Sequence, residues 1–462
     1  MAKKRSIHDF WPFPTYRRGQ KEILDAVEEF KKEFQVLLIV APVASGKESI
    51  MYTIANYFGD SCATVPTNTL LRQLEKNHEV LTLYGADHYK GGKEEQKVVK
   101  TKLRRGIPVF CNPYTFIAHR LFRKTLLFDE GHRLVQLNRD LQKTGILQKD
   151  LDYDINIRTI EELKEHVDFR IRNTEGPKKK KLTKLLDKIK SGDYYIERVY
   201  DRKGDKINLV PNTPQLHSVF DNKYIERIIL MSATISEDDL LDMGLDRNVQ
   251  VLKLEIPSQI PIEQRPLQKL YVGNVNFQNQ EELSKDMAAK LIQIANHHQS
   301  EGPGKGFVHT TYEMAKYLQR HLKSDKRFIF HSKLSQMRQR QFNDWLESPA
   351  SEGKIFVGCG FDEGISLKGP DFVWQAITKI SFLSLGDDFV KRKSEENPRW
   401  YIYQALKVLI QQYGRICRGE DDFGITYLLD GSVERVMEFS IENGLVPNFF
   451  LDVWNDCSTD NS

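Results

Sequence analysis

Residues 36–47, VLLIVAPVASGK, place a short apolar run in front of a loop of small residues that ends in Gly46 and Lys47. An apolar run closed by a proline predicts a strand buried inside a parallel sheet, and a helix is expected after the loop. Strand, loop and helix in this order predict a phosphate-binding loop, because N–H groups at a helix N-terminus attract anions. Lys47 would reach the β- and γ-phosphates. An ordinary strand-to-helix turn is the alternative, so further motifs must decide.

A second apolar run ends in two adjacent carboxylates. Residues 126–132 have the sequence LLFDEGH, in which Asp129 and Glu130 follow the run directly. Such a pair can divide two tasks: Asp129 holds Mg²⁺, and Glu130 orients and deprotonates the water that attacks a phosphate. An Asp-Glu pair can also cap an ordinary loop. Its position downstream of the phosphate-binding loop favours the catalytic interpretation.

Two further groups of polar residues fit the same chemistry. Arg415 and Arg418 are three residues apart and would share one face of a helix. Guanidinium groups beside a γ-phosphate stabilise the transition state and accelerate phosphoryl transfer by about 10³–10⁵-fold. A solvated basic helix face is the alternative. Ser232 and Thr234 follow an apolar run and could link the carboxylates to a second domain, although such hydroxyls commonly cap a helix.

Strand and helix signals alternate along most of the 462 residues, which indicates parallel sheets covered by helices on both faces. The proline-containing stretch 257–266 divides the chain, and we expect one domain at 1–256 and a second at 257–462. Two segments of the first domain interrupt the alternation. The first is a solvated excursion at about 85–106, and the second is a charged, helical insertion at about 138–212.

Composition sets limits on partners and location. The chain has 68 Lys and Arg against 64 Asp and Glu, a nearly balanced charge that permits local basic patches without indicating a nucleic-acid ligand. Five scattered cysteines indicate free thiols in a reducing compartment. No apolar run is long enough to span a bilayer, and the basic N-terminus lacks the apolar core of a secretory signal. We expect a cytoplasmic protein that does not contact membranes.

The motifs together resemble, in order, those of the superfamily 2 helicases, and within them the XPD/DinG type. The matching segments are YRRGQ at 16–20 (the Q motif), APVASGKE at 41–48 (motif I), TVPTN at 64–68 (motif Ia), DEGH at 129–132 (the DEAH box), SAT at 232–234 (motif III), FDEGISL at 361–367 (motif V) and QQYGRICR at 411–418 (motif VI). The resemblance spans about residues 10–450. Seven short motifs in the correct order are far more specific than any one of them.

The resemblance implies an α/β fold with two RecA-like domains, parallel sheets, a helical insertion in the first domain, and ATP between the domains. The residues implied to bind ATP are Gln20, Ala41, Ser45, Gly46, Lys47, Glu48, Ser49 and Gly364, with Gln20 on the adenine. The implied catalytic residues are Glu130, Asp129, Arg415, Arg418 and Gln411. Coupling between sites is expected from His132, Ser232 and Thr234, and nucleic-acid contacts from Thr67, Asn68 and Thr310.

The expected activity is an ATP-dependent and Mg²⁺-dependent DNA helicase that moves along single-stranded or forked DNA as a monomer. The resemblance implies movement from 5′ to 3′, and RNA is not excluded as the strand. One alternative is an ATP-driven translocase that remodels complexes without unwinding. Another is a strand-binding module with a decayed ATPase site. The intact set of charged motif residues argues against this second alternative.

The phosphate-binding loop departs from the family pattern after its lysine. The hydroxyl residue that usually follows is replaced by Glu48, and Ser49 comes one position later. A shift of one residue turns a helical side chain by about 100°. We therefore expect Glu48 to help hold Mg²⁺ together with Asp129, and Ser49 not to do so.

We predict that the purified protein contains no iron–sulfur cluster. The family's cluster needs several cysteine ligands, whereas residues 85–106 contain none and only Cys111 lies between that segment and the DEGH motif. Iron content and visible absorbance of anaerobically prepared protein should both stay at background. Stoichiometric iron with charge-transfer absorbance would contradict the prediction.

Overall fold

The computed structural model describes residues 5–457 except 104, 138–142, 148–156, 158, 193, 200–205, 212–222, 244, 246–248, 303, 333–334, 362–364 and 420. The strands are β1 (Val36–Val40), β2 (Ser61–Thr64), β3 (Leu81–Leu83), β4 (Val109–Cys111), β5 (Thr125–Asp129), β6 (Thr144–Leu147), β7 (Tyr194–Val199), β8 (Lys206–Pro211), β9 (Arg227–Ser232), β10 (Val251–Glu255), β11 (Leu267–Gly273), β12 (Lys305–Thr310), β13 (Phe328–Phe330), β14 (Ile355–Cys359), β15 (Phe372–Ile377) and β16 (Ile425–Asp430).

The helices of the described chain are α1 (Gln20–Phe30), α2 (Lys47–Phe58), α3 (Asn68–Asn77), α4 (Gly92–Thr101), α5 (Pro113–His119), α6 (Ile160–Arg172), α7 (Gly176–Ser191), α8 (Glu237–Asp242), α9 (Gln280–Glu301), α10 (Tyr312–Leu322), α11 (Ser335–Glu347), α12 (Asp388–Glu396), α13 (Pro398–Tyr413), α14 (Ser432–Glu442) and α15 (Asn448–Asp456). Spanning a bilayer takes about 20 consecutive apolar residues in a helix. No helix in the described part of the chain meets that requirement.

The first sheet is seven-stranded and parallel, in the order β10-β1-β9-β5-β2-β4-β3. All five residues of β1 are buried, as expected for an apolar strand covered on both faces. In the register, Val40 pairs with Ser232 and Asp129 pairs with Met231. The carboxyl ends of β1, β9 and β5 therefore meet at one edge of the sheet, where the loops that follow them lie side by side.

The second sheet is six-stranded and also parallel, in the order β11-β16-β15-β12-β14-β13. Residues of α9 and α10 pack with β12, β14 and β15 in one apolar cluster. The expected domain boundary at 256/257 falls between β10 of the first sheet and β11 of the second. Two parallel sheets with flanking helices confirm the α/β fold class.

The two sheets are not separate in their packing, because one cluster of buried apolar residues extends through both. It contains Val40 and Leu230 of the first sheet, Leu428 of the second, and Leu409 and Ile410 of α13. Helix α13 therefore lies at the junction of the two domains.

The insertion differs from the expectation that it is helical. Besides α6 and α7 it contains a three-stranded antiparallel sheet in the order β6-β8-β7. The helices and this sheet share a small core that includes Leu163, Leu186 and Leu209. The sequence did not reveal these strands because they are short and lie in a segment rich in charged residues. On β7, Tyr195 stacks on Phe389 of α12 at a centroid distance of 5.7 Å, so the insertion also contacts the second domain.

The segment at 85–106 is more ordered than a solvated excursion. It contains α4, in which Gln96 is buried and donates a hydrogen bond from Nε2 to the Tyr84 carbonyl at 2.7 Å. Val99 and Leu103 pack against the large core cluster. Its many lysines lie opposite this narrow apolar stripe, which is why composition alone suggested full solvation.

We predict that Gly306→Ala destabilises the second domain. A Cβ at Gly306 in β12 would lie 2.2 Å from Cζ2 of Trp374, a side chain that is 1% exposed. Overpacking of this kind lowers the free energy of unfolding by about 1–3 kcal/mol. The check is the midpoint of urea unfolding, with Gly85→Ala as the control, because its nearest atom is 3.8 Å away. Equal midpoints for the two variants would contradict this packing.

Candidate active site between the two domains

The loop between β1 and α2 has the geometry of an anion-binding site. Ala44 and Gly46 both have left-handed backbone conformations, with φ of 65° and 76°. Such turns direct successive N–H groups toward one point, and the first N–H groups of α2 have no acceptor within the helix. Glycine is required at position 46, because a Cβ there would also lie 2.4 Å from Gln20 Nε2.

Residues of the Q motif form hydrogen bonds to the backbone of this loop. Gln20 donates from Nε2 to the Ser45 carbonyl at 2.8 Å and accepts at Oε1 from the Arg17 N–H at 2.8 Å. Arg17 donates from Nη1 to the Ala44 carbonyl at 2.9 Å. Both ends of the buried Gln20 amide are thus engaged in positioning the loop. A contact from Gln20 to adenine stays a prediction.

The lysine and the two carboxylates meet in front of the loop. Lys47 Nζ lies 2.8 Å from Glu130 Oε1 and 3.8 Å from Asp129 Oδ1. Asp129 ends β5, and Glu130 turns sharply away from the strand with a φ of 50°. A left-handed conformation is costly for a non-glycine residue and is typical of functional turns.

The charges of these three groups shift one another's pKa. Burial alone would lower the pKa of Lys47, but the Glu130 and Asp129 carboxylates raise it above its usual value. Burial raises the pKa of Asp129 to about 6, although the Lys47 charge opposes this. Burial would also raise the pKa of Glu130, but the nearby charge of Lys47 and its hydrogen bond to the carboxylate hold it at about 2. Glu130 is therefore ionised here and is a weak base while Lys47 contacts it.

A chain of hydrogen bonds leads from Glu130 to the second domain. Ser232 Oγ donates to Glu130 Oε2 at 3.2 Å and lies 2.7 Å from His132 Nδ1. On the other side of the ring, Gln411 Nε2 lies 2.9 Å from His132 Nε2. The neutral imidazole protonated at Nδ1 satisfies every step, since it donates to Ser232 and accepts from Gln411. Thr234 joins this chain through its backbone N–H, which donates to Ser232 Oγ at 3.1 Å.

Arg415 and Arg418 reach the same place by a different route from the one expected. Helix α13 ends at Tyr413, so the two arginines do not share a helix face, which corrects the sequence expectation. Both donate from Nη1 to the Ile365 carbonyl instead, at 3.2 and 2.9 Å. Burial and the neighbouring Arg415 charge lower the pKa of Arg418 to about 10, so it stays protonated at neutral pH.

The loops of both domains enclose a cavity of about 120 Å³. Its lining comprises Pro42, Val43, Ala44, Ser45, Gly46, Lys47, Glu130 and Ala233 of the first domain and Ile410, Gln411, Arg415 and Arg418 of the second. The domains approach closely here, because a Cβ at Gly414 would lie 2.9 Å from Val43 Cγ2. The buried Ser45 Oγ has no hydrogen-bond partner among the described residues. A phosphate oxygen would supply one. Ala41 lies behind the cavity, where its N–H donates to the Ser232 carbonyl at 3.0 Å.

Asp129 fits a divalent metal, whereas Glu48 does not. Asp129 Oδ1 is buried and accepts no hydrogen bond from any described residue, as suits a carboxylate oxygen that ligates Mg²⁺. Glu48 accepts from Asn77 Nδ2 at 3.1 Å and lies 3.7 Å from His78 Nε2. The first turn of α2 thus directs Glu48 toward the end of α3, away from Asp129. This orientation corrects the expectation of a metal site shared by the two carboxylates.

Ser49 is likewise not brought into the cavity. It is buried within α2, where its carbonyl accepts from Thr53 Oγ1 at 2.8 Å. Gly364, expected to contact ATP, lies outside the described residues. Within the described ranges no three His, Cys, Asp or Glu side chains form a metal-binding group.

The residues expected to contact nucleic acid lie at the carboxyl edges of both sheets. Thr67 caps α3 by accepting the Leu70 N–H at 3.3 Å, and Asn68 accepts from Asn112 Nδ2 at 2.7 Å. Thr310 ends β12, and its buried Oγ1 has no partner among the described residues. The residues directly after Thr310 line an open cavity of about 1670 Å³. Aromatic side chains at this cavity are Tyr271, Phe277, Tyr312, Phe382 and Tyr401.

Asp422 has a larger part in the site than the sequence indicated. Its buried carboxylate accepts the Arg418 N–H at 2.9 Å and the Gly419 N–H at 2.6 Å through Oδ2, and the Gly369 N–H at 3.1 Å through Oδ1. It thereby fixes the loop that carries Arg418. The Asp-x-Gly pattern after the arginines was visible in the sequence, but its hydrogen-bond partners were not.

We predict that Glu48→Ala leaves the Mg²⁺ concentration for half-maximal ATP hydrolysis unchanged, because Glu48 faces Asn77. Asp129→Asn should raise that concentration by about tenfold or more, because a metal ligand is lost. Titration of steady-state hydrolysis with Mg²⁺ measures both effects. A raised Mg²⁺ requirement in Glu48→Ala would show that the side chain turns toward the metal.

Comparisons with known proteins agree with this architecture. Residues 308–444 match the model of the helicase C-terminal domain family. An XPD helicase structure is 14% identical over 97% of this chain and 100% of its own, with a TM-score of 0.63. An apo XPD structure is 16% identical over 92% and 98%, with a TM-score of 0.61. Xpd4 of S. tokodaii is 17% identical over 92% and 98%, with a TM-score of 0.57.

No curated protein sequence matches the chain. At these identities the structural matches establish the fold, and the family match covers the second domain. The chain therefore contains a region that matches the helicase C-terminal domain family, and it has the two-RecA-domain fold of the XPD structures.

Proposed function

We propose that the protein is an ATP-dependent DNA helicase that couples ATP hydrolysis to 5′-to-3′ movement along a single strand. One observation supports this most strongly. Lys47 and Glu130 of the first domain and Gln411, Arg415 and Arg418 of the second line the same cavity. A nucleotide bound there would contact both domains at once, so its hydrolysis can change how they are held together.

The phosphate-binding loop would receive the β- and γ-phosphates of ATP through its converging N–H groups and Lys47. In the structure Lys47 is engaged by Glu130 at 2.8 Å. Phosphate oxygens would replace Glu130 as the partner of Lys47. Asp129 would hold Mg²⁺, which neutralises charge on the phosphate oxygens and orients them.

Release from Lys47 would convert Glu130 into a stronger base. Its pKa is held at about 2 chiefly by the Lys47 charge, and that influence weakens once Lys47 contacts phosphate. Ser232 would keep the freed carboxylate oriented, since it donates to the second oxygen, Oε2. Glu130 would then accept a proton from the water that attacks the γ-phosphate.

The second domain would supply the positive charge of the transition state. Arg415 and Arg418 already share the Ile365 carbonyl and lie on the cavity lining. Either guanidinium could exchange its hydrogen bond to the Ile365 carbonyl for one to an oxygen of the γ-phosphate. Gln411 contacts His132 at 2.9 Å. Closure of the two domains would therefore be coupled to the carboxylates through the His132 ring.

The nucleic-acid strand would lie along the carboxyl edges of both sheets, over Thr67 and Asn68 and then past Thr310. The open cavity that begins at Thr311 offers exposed aromatic faces, including Tyr312 and Phe382, on which bases can stack. Stacking does not depend on base identity. We therefore expect weak sequence preference and an affinity that falls with salt concentration.

An ATP-driven translocase that does not unwind DNA is the second candidate. The observation in its favour is the small insertion at 138–212, whose described part contains two helices and three strands. A small insertion provides little surface for separating two strands. Unwinding of a forked duplex, compared with displacement of a bound protein from single-stranded DNA, distinguishes the two activities.

We predict that Lys47→Ala abolishes ATP hydrolysis and leaves single-strand binding intact, because Lys47 faces the nucleotide and the strand residues lie elsewhere. Steady-state hydrolysis with and without single-stranded DNA, together with fluorescence anisotropy of a labelled strand, measures both properties. Lys323→Ala is the matched control, since Lys323 is exposed at the end of α10.

Three outcomes would contradict this proposal or part of it. Wild-type turnover in Lys47→Ala would refute the phosphate-binding loop. A wild-type protein that binds single strands without hydrolysing ATP would favour a strand-binding module. Preferential opening of substrates with only a 3′ overhang would refute the polarity and leave the ATPase proposal standing.

A further inference from the structure

Helix α13 presents a regular row of polar side chains to the first domain. Arg399, Tyr403, Lys407 and Gln411 recur at every fourth position, and Arg415 continues the spacing just beyond the helix end. Residues four apart lie on one face of a helix. Gln411 at the end of the row contacts His132, but the residues before it contact a different part of the first domain.

Lys407 forms an ion pair with Asp239 of α8, the short helix that follows the Ser-Ala-Thr motif. The pair is deeply buried, because Lys407 is 6% exposed and Asp239 is 2% exposed. Asp239 is itself fixed on its own helix, since its Oδ2 accepts the Ser236 N–H at 3.0 Å. The ammonium group of the second domain thus has one defined partner on the first.

Tyr403, one turn before Lys407, strengthens the same contact. Its hydroxyl donates to the Thr234 carbonyl at 2.5 Å and lies 3.3 Å from Asp239 Oδ2. Burial and the Asp239 charge raise the pKa of Tyr403 well above its usual value, so the hydroxyl stays a donor. Thr234 also donates its N–H to Ser232, which connects Tyr403 to the catalytic hydrogen-bond chain.

Opposite charges continue along the two helices. Arg399 Nε donates to Asp238 Oδ2 at 2.9 Å, and Trp400 Nε1 donates to Asp242 Oδ2 at 2.7 Å. These partners lie on α8 and fix α13 at its N-terminal end. The interface therefore joins an acidic helix of the first domain to a polar row of the second.

A buried ion pair contributes little to stability compared with apolar residues of the same size, because removing two charges from water is costly. Its contribution here is to alignment, because a shift of α13 that separated the two groups would leave each of them buried without its charged partner. Lys407 precedes Gln411 by four residues, or about 6 Å along the helix axis. If Lys407 were displaced from its partner, Gln411 on the same helix and Arg415 just beyond it would be displaced as well.

We propose that Lys407, Tyr403 and Asp239 are positioning residues for ATP hydrolysis, which align α13 on the first domain so that Gln411 and Arg415 meet the nucleotide correctly. This inference rests on the proposed ATPase function. Loss of the ion pair disturbs the alignment of the second-domain residues and leaves the phosphate-binding loop unchanged. The consequence is a slower chemical step at unchanged nucleotide affinity.

The test is Lys407→Met, which keeps the length of the side chain and removes its charge. The kcat of strand-stimulated ATP hydrolysis should fall on the order of 10–100-fold, the effect of small misplacements in active sites, with KM for ATP unchanged. Lys269→Met is the matched control, because Lys269 pairs with Glu434 inside the second domain at 3.1 Å. The control should retain the wild-type kcat.

Tyr403→Phe is a second variant for the case that Lys407→Met does not fold. It removes only the hydroxyl that donates to Thr234, and it should lower kcat by a smaller factor, also at unchanged KM. Wild-type kcat in both variants would overturn the proposal. A raised KM with wild-type kcat would also overturn it, because the pair would then act on nucleotide binding.

A double-mutant cycle separates positioning from a purely structural effect. If Lys407 acts through Gln411 and Arg415, Lys407→Met should add little to the loss in a background that carries both Gln411→Ala and Arg415→Ala. Multiplied losses in the combined variant would show independent action and overturn the proposal. Lowered stability alone would not produce this dependence on Gln411 and Arg415.

A readout without ATP separates this inference from the proposed function. Spin labels on the exposed positions 94 of the first domain and 340 of the second report the distance between the domains. Lys407→Met should broaden the distance distribution, and Lys269→Met should not. An unchanged distribution would overturn the inference. Absence of ATP hydrolysis in the wild type, together with a broadened distribution in Lys407→Met, would refute the proposed function and leave standing only the alignment of α13 by the pair.

Discussion

The parallel pairing of β1, β9 and β5 is the constraint on which the site depends. Val40 beside Ser232, and Asp129 beside Met231, leave three strands ending at one edge of the sheet. The loop that carries Lys47, the carboxylates and the Ser-Ala-Thr segment must then emerge side by side. If a strand other than β9 lay between β1 and β5, Ser232 would be separated from Glu130 and the hydrogen-bond chain would be broken.

The same chain explains why one domain alone is an incomplete site. The Glu130 carboxylate is satisfied by Lys47 and Ser232, but the far nitrogen of His132 requires Gln411 from the second domain. Positive charge also comes from that domain, through Arg415 and Arg418. In the proposed mechanism, the first domain would hold the groups that bind phosphate and deprotonate water, and the second would hold those that stabilise charge in the transition state.

The sequence alone predicted those features that depend on which residues follow one another along the chain. Asp129, Glu130 and Ser232 lie at the ends of apolar strands, and Lys47 follows another apolar strand after the loop 41–46, so their meeting at one sheet edge follows from parallel pairing. What depends on tertiary contacts was not predictable. Glu48 turns toward Asn77 because α3 ends beside it, and the arginines leave the helix because α13 stops at Tyr413. The antiparallel sheet of the insertion was missed because its strands are short and lie in a segment rich in charged residues. The buried pairing of Asp239 with Lys407 joins residues 168 positions apart.

The stack of Tyr195 on Phe389 has a mechanical consequence. It joins the insertion to α12, while α8 holds the neighbouring α13, so these two contacts add to the apolar cluster and the Gln411–His132 contact that also join the domains. Sliding or twisting of one domain along the other would therefore have to separate the two stacked rings as well as the buried ion pair.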